Sequence, residues 1–200
     1  MQRESFLHLV SQRLHPVLRA TGFRGSGTTL RRVEDPVVHV FNIQGGSAGD
    51  EFFVNVGVTL TNLQMNGVTR TTVLTVKEHQ CVFRKRIDPP TQPSRAWPYP
   101  HTDADAEQTI TDLSSQYTAI AQPWLALHGR WPESFIALVE TGEALELHPA
   151  HMLVLARIAL VMHRNHRSEL LGRAALERCP ASASSLRFDL EQLVSAASAA

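Results

Sequence analysis

Cysteine is scarce in this chain, and no apolar run is long enough to cross a bilayer. The 200 residues include only two cysteines, Cys81 and Cys179, which lie in different parts of the chain and do not suggest a disulfide scaffold. The most apolar stretch, residues 152–162, contains Arg157 and falls short of the about 20 residues that a membrane-spanning helix needs. We expect reduced thiols, no membrane partner and a buried helix at 152–162.

The first six residues lack the pattern of a secretory signal. They place an acid and polar groups where such a signal has a cationic patch followed by an uninterrupted apolar run. We therefore expect a cytoplasmic protein. Apolar residues make up 43% of the chain and charged residues 19%, a composition typical of globular proteins.

Net charge is also lacking. The 19 Lys+Arg balance 19 Asp+Glu, which removes a general attraction to nucleic acid or to anionic membranes. Residues 1–100 carry 12 basic and 7 acidic side chains, a balance of +5, and residues 101–200 carry 7 and 12, a balance of −5. This difference is compatible with docking of the two halves against each other or with an acidic partner for the first half.

Two hydrophobic periods divide the first 87 residues. From Arg3 to Thr21 the apolar residues recur at helical spacing, and Gly22 follows as a left-handed stop. The segments 28–33, 37–44, 51–60 and 68–76 are instead rich in β-branched residues, and in 51–60 the apolar side chains alternate. The glycine-rich residues 45–50 predict a hairpin loop. This pattern predicts an α+β fold in which an N-terminal helix packs on an antiparallel sheet of about four strands.

A proline-rich segment separates this region from a helical one. Residues 88–101 contain five prolines, which disfavour regular pairing and predict an extended connector. Beyond it the apolar spacing is helical, with helices predicted at 103–128, 132–141, 149–164, 168–178 and 184–197. The predicted organisation is a helix with a sheet at 1–87, a connector at 88–101 and a helical region at 102–200 that packs on the first part as one unit.

Several short motifs follow one another along the first half of the chain. They are Pro-x-Leu-x-x-x-Gly-Phe at 16–23, residues 27–31, Val-x-Val-x-Asn-x-Gln at 38–44, Phe-Val-Asn-Val-Gly-Val at 53–58, and Lys-Glu-His-x-Cys at 77–81 with Arg84 to Arg86 trailing. In order and spacing they resemble an uncharacterised bacterial family, domain of unknown function 4304. Val82 and Phe83 depart from the more polar pair of that family. The resemblance implies an α+β fold and no established activity.

The segment Glu78-His79-Gln80-Cys81 concentrates side chains that can bind a metal ion or act in catalysis. On an extended chain His79 and Cys81 would face the same way, as two metal ligands could, and His39 is the nearest further donor. No second Cys or His pair of zinc-site spacing accompanies them, and a buried thiol beside a hydrogen-bonded histidine is the commoner meaning of such a segment. We expect no cofactor and no catalytic residue, with a metal- or thiol-dependent enzyme centred on His79 and Cys81 as an alternative.

Arg84, Lys85 and Arg86 form the densest basic run. Arg31, Arg32 and Arg95 are candidates to lie near it, which makes nucleic-acid binding through Arg84 to Arg86 a second alternative, although the zero net charge counts against it. Aromatic residues such as Trp97 and Tyr99 are over-represented at binding hot spots. For Trp97 the competing interpretation is a plug between the sheet and the helices.

The leading hypothesis is a non-enzymatic protein-binding module of an interaction or immunity type, with another protein, for example a toxin, as its partner. It depends on the missing catalytic set and on a sheet with one more open face. The predicted outward face carries His39, Asn55 and Thr59. The predicted partner-binding residues are His39, Asn55, Arg84, Arg86, Trp97 and Tyr99.

Overall fold

The structure, a computed structural model, describes residues 2–61, 63, 73–91 and 96–199. The chain forms two compact units, residues 1–61 with 72–129 (unit 1) and residues 62–71 with 130–200 (unit 2). The fold is α+β, as the sequence predicts: an N-terminal helix, an antiparallel sheet and a helical second half. The proline-rich segment 88–101 lies within unit 1.

Helix α1 (Arg3–Ala20) opens unit 1. It buries the apolar side of its helical repeat, including Phe6 and Leu14, which are fully inaccessible to solvent. Gly22 follows the end of the helix, and its φ of 92° is a left-handed conformation that glycine adopts without steric cost. The Phe23 amide then donates to the Leu18 carbonyl at 3.2 Å, which turns the buried Phe23 ring back toward the helix.

The sheet of unit 1 has a path of five antiparallel strands in chain order. The strands are β1 (Arg24–Ser26), β2 (Thr29–Glu34), β3 (Val37–Gly45), β4 (Glu51–Leu60) and β5 (Phe83–Ile87), and β6 (Trp97–Pro98) pairs with β4. The predicted number was about four, because strands as short as β1 and β6 carry no periodic signal. Most of the strand predicted at 68–76 lies outside the described residues, and residues 73–75 form a turn.

The register of β3 against β4 decides which side chains share a face. Val56 lies opposite Phe41, and Val58 lies opposite His39. Directly opposed residues of antiparallel strands point to the same side of the sheet. His39 therefore lies on the face that packs on α1, where the Phe6 and Phe52 ring centroids are 5.4 Å apart. We call this the helix face.

The prediction that His39, Asn55 and Thr59 share an outward face is wrong. Asn55 and Thr59 lie on the face opposite to His39, and all three are at most 5% exposed. The opposite face is covered in part because the chain before β5 folds back over it, where Val38, Val40, Val76 and Cys81 form a buried cluster. At Gly57 an added Cβ would lie 2.6 Å from Cys81 Sγ, so only glycine permits this approach.

The helices that complete unit 1 follow the proline-rich segment. Helix α2 (Asp103–Gln116) begins with a capping box, in which Thr102 Oγ1 accepts from the Asp105 amide at 3.1 Å and Asp105 accepts from the Thr102 amide. A π-helical turn (Tyr117–Ala121) then joins it to α3 (Gln122–His128). The predicted helix at 103–128 is thus present in three pieces, with Pro123 in the first turn of α3.

Unit 2 is built from helices. They are α4 (Glu133–Glu140), α5 (Pro149–Val161), α6 (Asn165–Arg178) and α7 (Ser184–Ala199), close to the predicted bounds. Its core is apolar, with Ser168 as a buried polar member whose hydroxyl donates to the Ala156 carbonyl at 2.8 Å. Among the residues that the structure describes, no helix combines the length and the apolar character that crossing a membrane requires.

Candidate functional site

The two predicted aromatic anchors are core residues. Trp97 is 2% exposed, stacks on Phe52 with ring centroids 6.1 Å apart, and donates its indole N–H to the Ile87 carbonyl at 2.8 Å. Tyr99 is 8% exposed and meets Phe6 edge-on. The expectation of two accessible anchors is therefore wrong, because the proline-rich segment returns along β4 as β6 and carries both rings into the core.

His39 is a buried link between the sheet and α3. Its imidazole hydrogen-bonds to the Leu125 carbonyl, and its Nδ1 accepts from Arg32 Nε at 3.4 Å. Burial, reinforced by the positive charge of Arg32, lowers the pKa of His39 to about 4. An added Cβ at Gly129 would lie 2.3 Å from His39 Nε2. His39 is thus neutral at pH 7 and tightly enclosed within unit 1.

His79, Cys81 and His39 do not converge. Cys81 lies on the opposite face of the sheet from His39, and the His79 side chain is 60% exposed, with Nδ1 3.8 Å from a Glu78 carboxylate oxygen. Burial, with a smaller contribution from Glu78, raises the pKa of the Cys81 thiol to about 12. Within the described ranges no three His, Cys, Asp or Glu side chains are grouped to hold a metal ion. The arrangement matches a structural thiol.

The loop between β3 and β4 contains a serine in a Gly-x-Ser-x-Gly sequence, at residues 45–49. In hydrolases this sequence forms a strained turn from a strand into a helix, which presents the serine as a nucleophile. Here it joins two antiparallel strands, and the Gly46 amide closes the hairpin on the Glu51 carbonyl at 2.8 Å. The loop therefore lacks the geometry of a nucleophile elbow, and Ser47 is an exposed hairpin residue.

Strand β5 carries the strongest concentration of positive charge in unit 1. We call Arg84, Lys85 and Arg86 the basic edge. The two arginines are exposed and Lys85 is half-buried. Across the described residues no carboxylate oxygen lies within 4 Å of their side-chain nitrogens. The basic edge therefore presents charge that no carboxylate in the described part of the chain neutralises by direct pairing.

The other basic residues considered from the sequence do not join the basic edge. Arg31 and Arg32 lie on β2, which β3 and β4 separate from β5. Arg31 Nε donates to the Val76 carbonyl at 2.6 Å, and Arg32 Nε lies 3.2 Å from a Glu34 oxygen. Arg95 lies outside the described residues. The predicted patch is therefore confined to three consecutive residues in the described part of the chain.

Arg86 is held in place by its neighbours on the opposite face. Its guanidinium carbon lies 4.1 Å from the centroid of the Phe53 ring, and its Nε donates to Asn55 Oδ1 at 3.4 Å. The Asn55 amide in turn donates to Gln44 Oε1 at 3.3 Å. A depression of about 420 Å³ adjoins this network and is lined by Asn55, Glu78, Val82, Arg84, Lys85 and Arg86.

Exposed apolar side chains lie on the other side of β5. We call Ile120, Trp124 and Leu127 the apolar stripe. Ile120 is 42% and Leu127 is 52% exposed, and Trp124 is half-buried. The stripe is linked to β5 through His128, whose ring stacks on Trp124 at 4.3 Å and meets Phe83 at 5.0 Å between ring centroids. The sequence analysis did not identify Ile120, Trp124 or Leu127, although the unexpected Phe83 in the family pattern was a signal of apolar contacts at β5.

One comparison with known proteins gives a match. Residues 14–127 match the family model of DUF4304, a domain of unknown function. The match runs from within α1 to the end of α3 and so extends beyond the motifs of the first half into two of the helices. Neither a curated protein nor a solved structure matches the chain.

Proposed function

We propose that this chain, which belongs to the DUF4304 family of unknown function, is a non-enzymatic protein-binding module that contacts its partner through the basic edge. The observation that carries the proposal is the charge of β5. Arg84, Lys85 and Arg86 are consecutive on an edge strand of the described sheet, two of them are exposed, and no carboxylate of the described residues pairs with them.

The proposal assigns an acidic surface to the partner. Complementary charge accelerates encounter and fixes the orientation of two proteins, and rim arginines retain these effects even where they add little affinity. A small acidic toxin is one partner of this chemistry, in which case the module would be of the immunity type. In the source genome, a toxin gene directly upstream of this one would support that narrower form.

The alternative of an enzyme centred on His79 and Cys81 has less support. A thiol nucleophile or metal ligand must be deprotonated, and the pKa of Cys81 is raised to about 12. Cys81 is also needed where it is, since it packs against Gly57 and the buried valines of β3. Packing explains this cysteine without a reaction.

The alternative of nucleic-acid binding depends on the same basic edge and is decided by the same experiment. Three neighbouring cations could follow a phosphate backbone, and Phe53 offers a ring beside Arg86. That ring, however, is already covered by the Arg86 guanidinium and is less available for a base. The geometry therefore favours a protein partner.

The test is comparative capture. Wild-type protein, the double variant Arg84→Glu/Arg86→Glu and the matched control Arg13→Glu/Arg24→Glu are immobilised and exposed to extract of the source cells. One portion of the extract is untreated and the other is treated with nuclease. The control makes the same change in net charge at exposed positions on α1 and β1. We expect one or a few proteins that wild type and control enrich about tenfold over the basic-edge variant.

Two results would contradict the proposal. The first is equal capture by all three proteins, which would remove any role of the basic edge. The second is capture of material that disappears on nuclease treatment, which would assign the basic edge to nucleic acid instead. Folding of each variant is checked by its melting temperature, because only folded variants are comparable.

A further inference from the structure

We infer that the partner supplies an extended segment, with acidic residues at alternate positions and apolar residues between them, that pairs with β5 as an added strand. The inference rests on the proposed function and specifies the element of the partner that the basic edge would hold. It follows from the open edge of β5, from the charges on one side of that edge and from the apolar residues on the other.

The edge of the sheet at β5 is open in the described part of the chain. β5 is hydrogen-bonded to β4 and to no other described strand. In an edge strand alternate N–H and C=O groups face away from the sheet and can pair with another chain. The five residues of β5 span roughly 16 Å at about 3.3 Å per residue, enough for a short added strand.

One side of this edge selects acidic residues. Arg84 and Arg86 point to the same face because they lie opposite Gly57 and Asn55 of β4. Side chains directly opposite each other on paired strands have Cβ atoms about 5 Å apart, and opposite charges there are favourable. An added strand with two acidic residues spaced i, i+2 would place one carboxylate against each arginine.

Arg86 is already arranged for such a contact. The Phe53 ring and Asn55 Oδ1 hold the guanidinium through its face and its Nε. Its two terminal nitrogens have no hydrogen-bond partner among the described residues, although they are the pair that can bind a carboxylate in bidentate fashion. Holding the side chain in place beforehand reduces the entropy lost on binding.

The other side of the edge selects apolar residues. Phe83 and Lys85 lie opposite Val58 and Val56, so they point to the helix face. On that side Phe83 contacts His128, which stacks on Trp124 of the apolar stripe. An apolar side chain between two acidic ones would therefore meet Phe83 and the aliphatic part of Lys85, with the apolar stripe beyond them. A single added strand in which acidic and apolar residues alternate would therefore place acidic side chains on the arginine side and apolar side chains on the Phe83 side.

A charged edge strand also has a simpler role, since lysine and arginine on an edge discourage aggregation through strand pairing. That role needs charge alone and makes no use of the alternation, of the fixed Arg86 or of the apolar residues beside Phe83. The two explanations therefore predict different responses to the pattern of an added peptide.

The experiment uses the full chain and three synthetic peptides of seven residues with blocked ends. The first alternates four glutamates with three valines, the second has the same composition with the glutamates in one block, and the third alternates lysine with valine. Binding is followed by NMR through backbone amide shifts and by amide hydrogen exchange at residues 83–87. A single-stranded oligonucleotide is the fourth probe.

The alternating acidic peptide should shift the β5 amides, slow their exchange and bind about tenfold more tightly than the block peptide. Arg84→Glu/Arg86→Glu should lose this binding and accept the lysine peptide, whereas Arg13→Glu/Arg24→Glu should behave as wild type. Equal binding of the block peptide, shifts that avoid β5, or tighter and arginine-dependent binding of the oligonucleotide would overturn the inference.

Failure of the added-strand inference can be distinguished from failure of the proposed function. If a captured partner depends on the basic edge but leaves the β5 amides exchanging as in the free protein, the partner binds here without adding a strand, so the inference fails while the function stands. If capture does not depend on the basic edge, the proposed function itself fails.

Discussion

Acid should weaken this protein through His39, and the size of the effect follows from its surroundings. The pKa of His39 is lowered from 6.5 to about 4 by burial and by Arg32, whereas in the unfolded chain it returns to 6.5. Between these values the unfolded state binds a proton that the folded state does not. The contribution of the neutral His39 to stability is therefore fully present above pH 6.5 and is lost as the pH falls toward 4.

Lowering the pKa from 6.5 to about 4 corresponds to about 3 kcal/mol at about 1.36 kcal/mol per pKa unit, and about 2–3 kcal/mol of this is lost between pH 7.5 and 4.5. His15 adds to the loss in the same direction, because burial and Arg19 lower its pKa too. Carboxylates whose pKa is lowered, such as Asp105, also destabilise the fold on protonation, at still lower pH. The dependence of the unfolding free energy on pH therefore has several sources. A variant at His39 is needed to separate its contribution from the others.

The assay is urea unfolding at a series of pH values for wild type, His39→Gln and His79→Gln. Glutamine can keep a donor for the Leu125 carbonyl and an acceptor for Arg32 but does not titrate. We expect His39→Gln to be less stable than wild type at pH 7.5 and to lose about 2–3 kcal/mol less between pH 7.5 and 4.5. His79→Gln removes a side chain that is 60% exposed and should keep the wild-type slope. Equal slopes for wild type and His39→Gln would refute the reasoning.

Three further predictions concern the interior. Trp97→Ala should lower the free energy of unfolding by about 3–5 kcal/mol, whereas Arg84→Glu/Arg86→Glu should change it by less than about 1 kcal/mol, as chemical denaturation would show. Tyr99→Phe should leave stability unchanged or raise it by up to about 1 kcal/mol in the same assay, because the buried Tyr99 hydroxyl has no hydrogen-bond partner among the described residues. A loss above that size would reveal a partner. In a Cys179→Ala background, a thiol reagent at pH 8 should modify Cys81 only after the protein unfolds. Raising the pKa of Cys81 from 9.0 to about 12 lowers its thiolate fraction about a thousandfold. Rapid labelling of the folded protein would contradict this prediction.

The candidate site was only partly predictable. Arg84 and Arg86 were identified from the sequence because consecutive cations are visible without a fold, and both are exposed. Trp97 was predicted to contact a partner because aromatic residues are over-represented at binding hot spots, and burial between the sheet and the helices was the competing interpretation. The proline-rich sequence around it has no periodic pattern that could decide between the two. In the structure its indole N–H has a partner in Ile87, a residue ten positions away whose proximity arises only when β6 pairs with β4.

The sequence by itself determined the longer elements of the fold. Helical spacing at Arg3–Ala20 and alternation along Glu51–Leu60 are local properties, because a side chain's direction in a helix or strand depends on its immediate neighbours. The family resemblance was likewise carried by short motifs and is confirmed by the match over residues 14–127.

Only the tertiary structure decided which of these side chains are accessible. His39 and Asn55 lie on adjacent strands, yet the register of β3 against β4 sends them to opposite faces, and shifting that register by one residue would reverse the outcome. The chain before β5 then covers part of the second face and buries Cys81. Both depend on contacts between residues distant in sequence, which local patterns do not record. Together they leave the edge at β5 as an exposed basic surface in the described part of unit 1.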